Sequence, residues 1–213
     1  MFITLEGIEG SGKTTQIRGL RAYFEDLGYS CVVTREPGGT AIGRKIRAIL
    51  LNPENDDLLP MAELLLYMAD RAQHLDLVVK PSLAAGKIVL SDRYFDATVV
   101  YQGAARGLDV NRIYRLHKLL FDDLKPDLTL LLDLPPQMGL GRVRLQLENG
   151  ARSSRENRFE EETLGFHEKI RAGYLELARR DPARFAVIDA SRAENQVQND
   201  IRNTVSAYLK LRP

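Results

Sequence analysis

Residues 2–15 read FITLEGIEGSGKTT. The apolar run Phe2 to Leu5 ends in a loop holding three glycines, a lysine and two threonines. Gly7, Gly10, Gly12, Lys13 and Thr14 fit the spacing G-x-x-x-x-G-K-[ST], a loop that wraps a nucleotide's β- and γ-phosphates. Glycine lets the backbone turn tightly and aim successive N–H groups inward. The next stretch, TTQIRGLRAYFEDLGY, places Ile17, Leu20, Tyr23, Phe24 and Leu27 on one stripe, which predicts a helix. The positive end of that helix faces the loop. Lys13 adds a mobile full charge, and the Thr14 hydroxyl is of the type that ligates Mg²⁺. The loop says nucleotide; it does not say what happens to it.

The rest of the chain narrows the class. At 213 residues, one α/β domain spanning 1–213 is expected. Hydrophobic residues make up 44% and charged residues 28%, as in ordinary globular proteins. A net charge of +1 argues against a general nucleic-acid binder, so any phosphate site must be a local cluster. No apolar run approaches ~18 residues, so no membrane span is expected. The opening residues read as a strand, so no leader segment is expected. The single cysteine, Cys31 in SCVVT, reads as core packing, and no internal disulfide can form. His74, His117 and His167 lack metal-ligand spacing and read as surface or helix-face residues. A reducing cytoplasm fits these features.

Short apolar runs alternate with longer helical patterns. Strands are expected at 2–6, 30–35, 87–91, 127–133 and 184–189. Helices are expected at about 13–28, 40–51, 60–85, 95–105, 109–122, 136–148, 160–180 and 193–211. This alternation predicts a doubly wound α/β fold with a five-stranded parallel sheet and ligands at the carboxyl ends of the strands. NGARSSRENR, 149–158, is polar, carries Arg152, Arg155 and Arg158, and separates two good helices.

The strand ends carry coherent chemistry. TREPGGT follows the second strand and reads as a turn before a helix. Asp92 and Arg93 stand where the third strand stops, and an arginine there suits a bidentate grip on phosphate. Thr98, Tyr101 and Gln102 then fall at i, i+3 and i+4, giving one polar helix face. In LLLYMADRAQH, Tyr67 and Arg71 stand at i and i+4, where a ring could stack a base beside a guanidinium. Spacing alone favours an ordinary amphipathic helix with a surface arginine.

Together, GIEGSGKTT, TREPGGT, LLLYMADRAQH and SDRYFDATVVYQGAARG, in this order and spacing, resemble the thymidylate kinase family, whose enzymes phosphorylate dTMP to dTDP. The resemblance runs on through NRFEEETLGFHEKIRAGYLEL, and it is to the bacterial subtype. Gly10 stands where another subtype places an arginine, and the arginines fall instead in a lid, 141–158. The resemblance implies that Gly7, Ile8, Glu9, Gly10, Ser11, Gly12, Lys13, Thr14 and Thr15 hold ATP, with Mg²⁺ near Thr14 and Asp92. Glu9 would also face the acceptor sugar. Arg47 and Arg93 would hold the acceptor's 5′-phosphate, with Glu36 and Pro37 beside the acceptor. Tyr67 would stack on thymine, Arg71 donate to its carbonyl, Thr98 and Gln102 read its edge, and Tyr101 crowd the sugar's 2′ position. Arg142, Arg144, Arg152, Arg155 and above all Arg158 would serve as lid arginines, and a homodimer is implied.

On this reading Lys13, Arg93, Asp92 and Arg158 are the catalytic group, acting by positioning and charge neutralisation. Asp92 would organise water or Mg²⁺, while Asp133 is a weaker metal candidate or a helix cap. A GTPase switch shares the loop, but the chain has no N-K-x-D motif. A kinase for another nucleoside monophosphate, or for a small metabolite, would differ at Tyr67, Arg71 and Thr98. A non-catalytic nucleotide-binding module would not need a second arginine site.

Overall fold

The computed structural model describes residues 1–150 and 158–210. Five strands form one parallel sheet: β1 (Phe2–Glu6), β2 (Cys31–Arg35), β3 (Ile88–Asp92), β4 (Leu128–Asp133) and β5 (Phe185–Asp189). Their order is β2-β3-β1-β4-β5, so β1 lies in the middle, with Leu5 level with Asp92 and Glu6 level with Leu131. All five expected strands form, each bound within one residue of expectation. The phosphate loop therefore leaves the centre of the sheet's carboxyl edge, where the order of strands reverses and a crevice opens.

Burial follows from the strand order. Every residue of β1 and β3 is buried, whereas β2 and β5 are edge strands and alternate in exposure. Cys31, expected in the core, is half-buried because nothing pairs beyond β2.

Helices fill the connections: α1 (Lys13–Asp26), α2 (Ala41–Leu51), α3 (Pro60–His74), α4 (Lys80–Ala84), α5 (Phe95–Thr98), α6 (Val110–Phe121), α7 (Pro136–Glu148), α8 (Leu164–Arg180) and α9 (Glu194–Lys210). Two stretches expected as plain α-helix contain π-helical turns, Leu75–Val79 after α3 and Val99–Ala105 after α5. Such turns re-aim side chains and recur at functional sites. The helix expected from residue 160 starts at Leu164, because the Thr163 side chain accepts from the Phe166 N–H and caps it there.

The three histidines are buried, against expectation. His74 reaches Thr34 Oγ1 at 2.6 Å and Glu36 Oε1 at 2.8 Å. His117 stacks on Phe95 with ring centroids 3.7 Å apart, and burial pushes its pKa down to about 4. His167 stands beside Glu9. A histidine on a helix carries no sequence mark of its side; here the partners come from β2, the phosphate loop and α5.

A largely buried ion pair ties the start of β5 to α5. Asp96 on α5 accepts from Arg184 through Nη1 at 2.6 Å and Nη2 at 2.9 Å, and from the Thr129 hydroxyl at 3.3 Å. Removing one partner strands the other's charge. Arg184→Ala is expected to cost about 3 kcal/mol. For a chain of this size that is a Tm lower by roughly 6–12 °C, measurable by thermal unfolding.

Candidate active site

The loop after β1 is closed by glycines packed on backbone. Gly7 has φ 138°, and a Cβ there would lie 2.5 Å from the Leu132 carbonyl oxygen. Gly10 has φ 71°, and its Cβ would collide with the backbone of Gly139 in α7; a Cβ on Gly139 would collide with the Glu9 carbonyl. α1 starts at Lys13 with Gly12 as N-cap, no side-chain cap and no acid in its first turn. Its open N–H groups are thus left for an anion.

Lys13 is not exposed, as a lysine in a surface loop would be; it is 8% accessible. Its Nζ donates to the carbonyls of Gly7 at 2.9 Å and Ile8 at 2.8 Å, and to Ser11 Oγ at 3.3 Å. Burial and the nearby Arg93 charge lower its pKa to about 8, against the pull of Asp92, Glu9 and Glu6.

Arg93 follows β3 with φ 72°, a conformation uncommon outside glycine. Its Nη2 donates to Glu9 Oε1 at 2.8 Å, and its Nη1 donates to Tyr101 Oη at 2.8 Å and Tyr174 Oη at 3.3 Å. Tyr101 also donates to Glu9 Oε1 at 2.6 Å. Burial alone would raise the Glu9 pKa, but Arg93 overrides it and holds the carboxyl well below the usual range. Beneath them Glu6 accepts from Tyr174 Oη at 2.7 Å and the Tyr94 N–H at 2.8 Å. Burial and Asp96 push its pKa up to about 8.

Asp92 Oδ2 accepts from Thr14 Oγ1 at 3.4 Å and lies 3.7 Å from Arg35 Nη2. Carboxylate and hydroxyl oxygens beside a phosphate loop suit a hard divalent cation. Asp133 is engaged elsewhere, accepting from Arg171 Nε at 2.7 Å and Nη2 at 2.8 Å. The N-cap of α7 is Pro135, so Asp133 does not cap it.

At the other end of the cleft Arg71 is 1% accessible, so it is no surface residue. It donates through Nε to Glu36 Oε2 at 2.9 Å and through Nη2 to Thr98 Oγ1 at 2.9 Å, with its guanidinium 5.0 Å from the Tyr94 ring centroid. Glu36 is buried, yet Arg71 and His74 hold its pKa low. Burial and Glu63 raise the Tyr67 phenol, partly offset by Arg93, Arg47 and Arg158. Arg47 Nη1 donates to the Pro37 carbonyl at 3.1 Å.

The cleft between these ends measures about 790 Å³. Of the expected site residues, Gly7, Ile8 and Arg158 fall outside its lining. Arg158 instead donates to Glu63 Oε2 at 2.7 Å and to the Leu50 carbonyl at 3.1 Å. Arg142 lies against the loop, donating to the carbonyls of Gly10 at 3.4 Å and Ala190 at 3.1 Å, while Arg144 is exposed. Arg152 and Arg155 lie outside the described residues. Sequence reasoning missed Glu6, Glu63, Asp70 and Tyr174. Asp70 accepts from the Gly38 N–H at 3.0 Å, and burial and Glu36 push its pKa up to about 6. One signal was available: Glu63, Tyr67 and Arg71 recur every fourth residue on α3.

A phosphate loop at the centre of a parallel sheet, with further arginines, Arg47 and Arg93 among them, in the same cleft, defines a P-loop kinase of the nucleoside monophosphate type. The family model described as thymidylate kinase matches residues 5–201. The thymidylate kinase of Desulfosudis oleivorans is 55% identical over 190 residues, 89% of each chain. That of Desulforapulum autotrophicum is 54% identical over 209 residues, 98% of this chain and 92% of its own. A crystal structure of thymidylate kinase from Ehrlichia chaffeensis matches with TM-score 0.75 and 33% identity, covering 97% of this chain and 98% of that one. The chain belongs to the thymidylate kinase family and is a phosphotransferase.

The lowered Lys13 pKa gives a pH signature. A lysine attracts phosphate only while protonated, so if Lys13 serves the nucleotide donor, kcat/KM for that donor is expected to fall as pH rises through about 8. Steady-state kinetics across pH checks this. Lys13→Ala is expected to abolish turnover with the circular dichroism spectrum unchanged.

Proposed function

We propose that the enzyme transfers the γ-phosphoryl group of ATP to dTMP, giving ADP and dTDP in the supply of dTTP. One observation carries the reading. A single cleft joins the phosphate loop, the Arg47 and Arg93 cations and an end lined by Tyr67, Arg71, Thr98 and Gln102. The acceptor phosphate has a second pKa of about 6 and is mostly a dianion near pH 7, so it needs no general base. The obstacle is repulsion between two polyanions. Lys13 and the open N–H groups of α1 take the donor phosphates, and Arg93 takes the acceptor. Thr14 and Asp92 would hold Mg²⁺, which supplies charge neutralisation on the donor. Arg142 is the described lid-side arginine nearest the loop. The contacts of Arg158 favour an anchoring role at the nucleobase end over direct contact with the transferred group.

The same reading includes a homodimer in the cytoplasm. α2 packs on α3 and α3 on α6. These helices expose Ile42, Ile49, Leu65, Leu119 and Leu120, an apolar set that a second copy would cover. Light scattering is expected to give twice the 24.0 kDa chain mass.

A coupled ADP-release assay over dTMP, dUMP, dCMP, dAMP and dGMP tests the substrate, and dTMP is expected to give the highest kcat/KM. Equal rates with a purine monophosphate would overturn the assignment. Arg93→Ala is expected to lower kcat/KM for dTMP by about 1.5–3 kcal/mol, roughly 10- to 150-fold, with ATP affinity nearly unchanged. Titration calorimetry with each nucleotide separates the two effects.

A further inference from the structure

Glu63 on α3 is fully buried and belongs to none of the roles assigned above. Three donors from distant parts of the chain converge on it. Arg158 Nη1 donates to Oε2 at 2.7 Å, Gln102 Nε2 donates to Oε1 at 2.8 Å, and Arg106 Nε lies 3.5 Å from Oε1. Both Glu63 oxygens act as acceptors here, one from Arg158 and one from Gln102. That decides which end of the Gln102 amide can face it: the NH₂. The carbonyl oxygen is left for the cleft that Gln102 lines, and no hydrogen bond engages it among the described residues. The Arg71–Thr98 and Glu63–Gln102 bonds form two rungs between α3 and the following α5–π segment. Tyr67 sits between the rungs on α3.

We propose that Glu63 is a positioning residue for nucleobase choice. It locks Gln102 with its carbonyl toward the cleft, so the site takes a base that presents an N3–H and rejects one that presents an N3 lone pair. The inference rests on the thymidylate reading. Thymine and uracil both carry N3–H, whereas cytosine has a lone pair at N3. A free amide could rotate and offer its NH₂ to cytosine; one held by a carboxylate cannot without leaving a buried charge short of a donor. The lock separates dTMP from dCMP and is blind to the difference between dTMP and dUMP.

The test measures kcat/KM for dTMP, dUMP and dCMP in the wild type, Glu63→Gln, Gln102→Ala and the double variant. Glu63→Gln is expected to lower the dTMP:dCMP ratio about tenfold or more. The dTMP:dUMP ratio is expected to stay within about twofold, which a general loss of folding or activity would not single out. In the Gln102→Ala background, Glu63→Gln is expected to move the dTMP:dCMP ratio no further, as two residues acting through one contact require. An unchanged ratio in folded Glu63→Gln overturns the proposal, and so does an equal effect with and without Gln102. Should Glu63→Gln fail to fold, Glu63→Asp replaces it: the charge stays but the oxygens withdraw from Gln102. The same fall supports the proposal and an unchanged ratio overturns it. A wild type indifferent between dTMP and dCMP overturns the thymidylate reading, and this proposal with it; discrimination lost only in the variants is the distinct, supporting result.

Discussion

Lys13 and Arg93 place two cations in one buried corner, and Glu9 makes that arrangement tolerable. Burial and the Arg93 charge together depress the Lys13 pKa. Glu9 leaves the loop between the end of β1 and Lys13, meets Arg93 across the gap to β3, and is gripped again by Tyr101. Arg93 stands in a left-handed backbone conformation and donates to Glu9 and two phenols at once. It has little freedom to swing away. A phosphate bound here, as proposed, would meet charge already in place, leaving little reorganisation for the moment of transfer.

The same device recurs along the cleft. Glu36 holds Arg71 and His74, and Glu63 holds Arg158 with Gln102. In each case a buried glutamate fixes a guanidinium and a second polar group. Such pairs contribute little net stability, since desolvation offsets most of the attraction. What they contribute is geometry: side chains with many rotamers are reduced to one, next to the space a ligand fills. The π-helical turns fit this picture. The second one, Val99–Ala105, carries both Tyr101 and Gln102, which reach different carboxylates, Glu9 and Glu63.

Much of this was legible in the sequence, for identifiable reasons. The strands are short apolar runs bounded by turns, and the two central ones, buried throughout, show no alternation to misread. The phosphate loop is local, so its residues declare themselves. The acid and guanidinium at Asp92–Arg93 could be placed once β3 was placed. What stayed hidden depends on partners far along the chain. Glu63 lies 95 residues from Arg158 and 39 from Gln102, so its spacing with Tyr67 and Arg71 marks a shared helix face but not its partners. His74, His117 and His167 were read outward because a helix stripe gives the period but not which polar residues the interior will accept. A glycine-rich loop suggests surface, yet the carbonyls of Gly7 and Ile8 fold over the Lys13 ammonium.

The contact between Gly10 and Gly139 bears on descent as well as chemistry. Backbone rests on backbone there, with no space for a methyl group on either side. A lineage in this state cannot acquire an arginine at residue 10 by one substitution, since the first atom of the new side chain would displace α7. Such a change calls for substitutions on both elements together, and grafting a charge into the loop at that point by design would have to begin at residue 139.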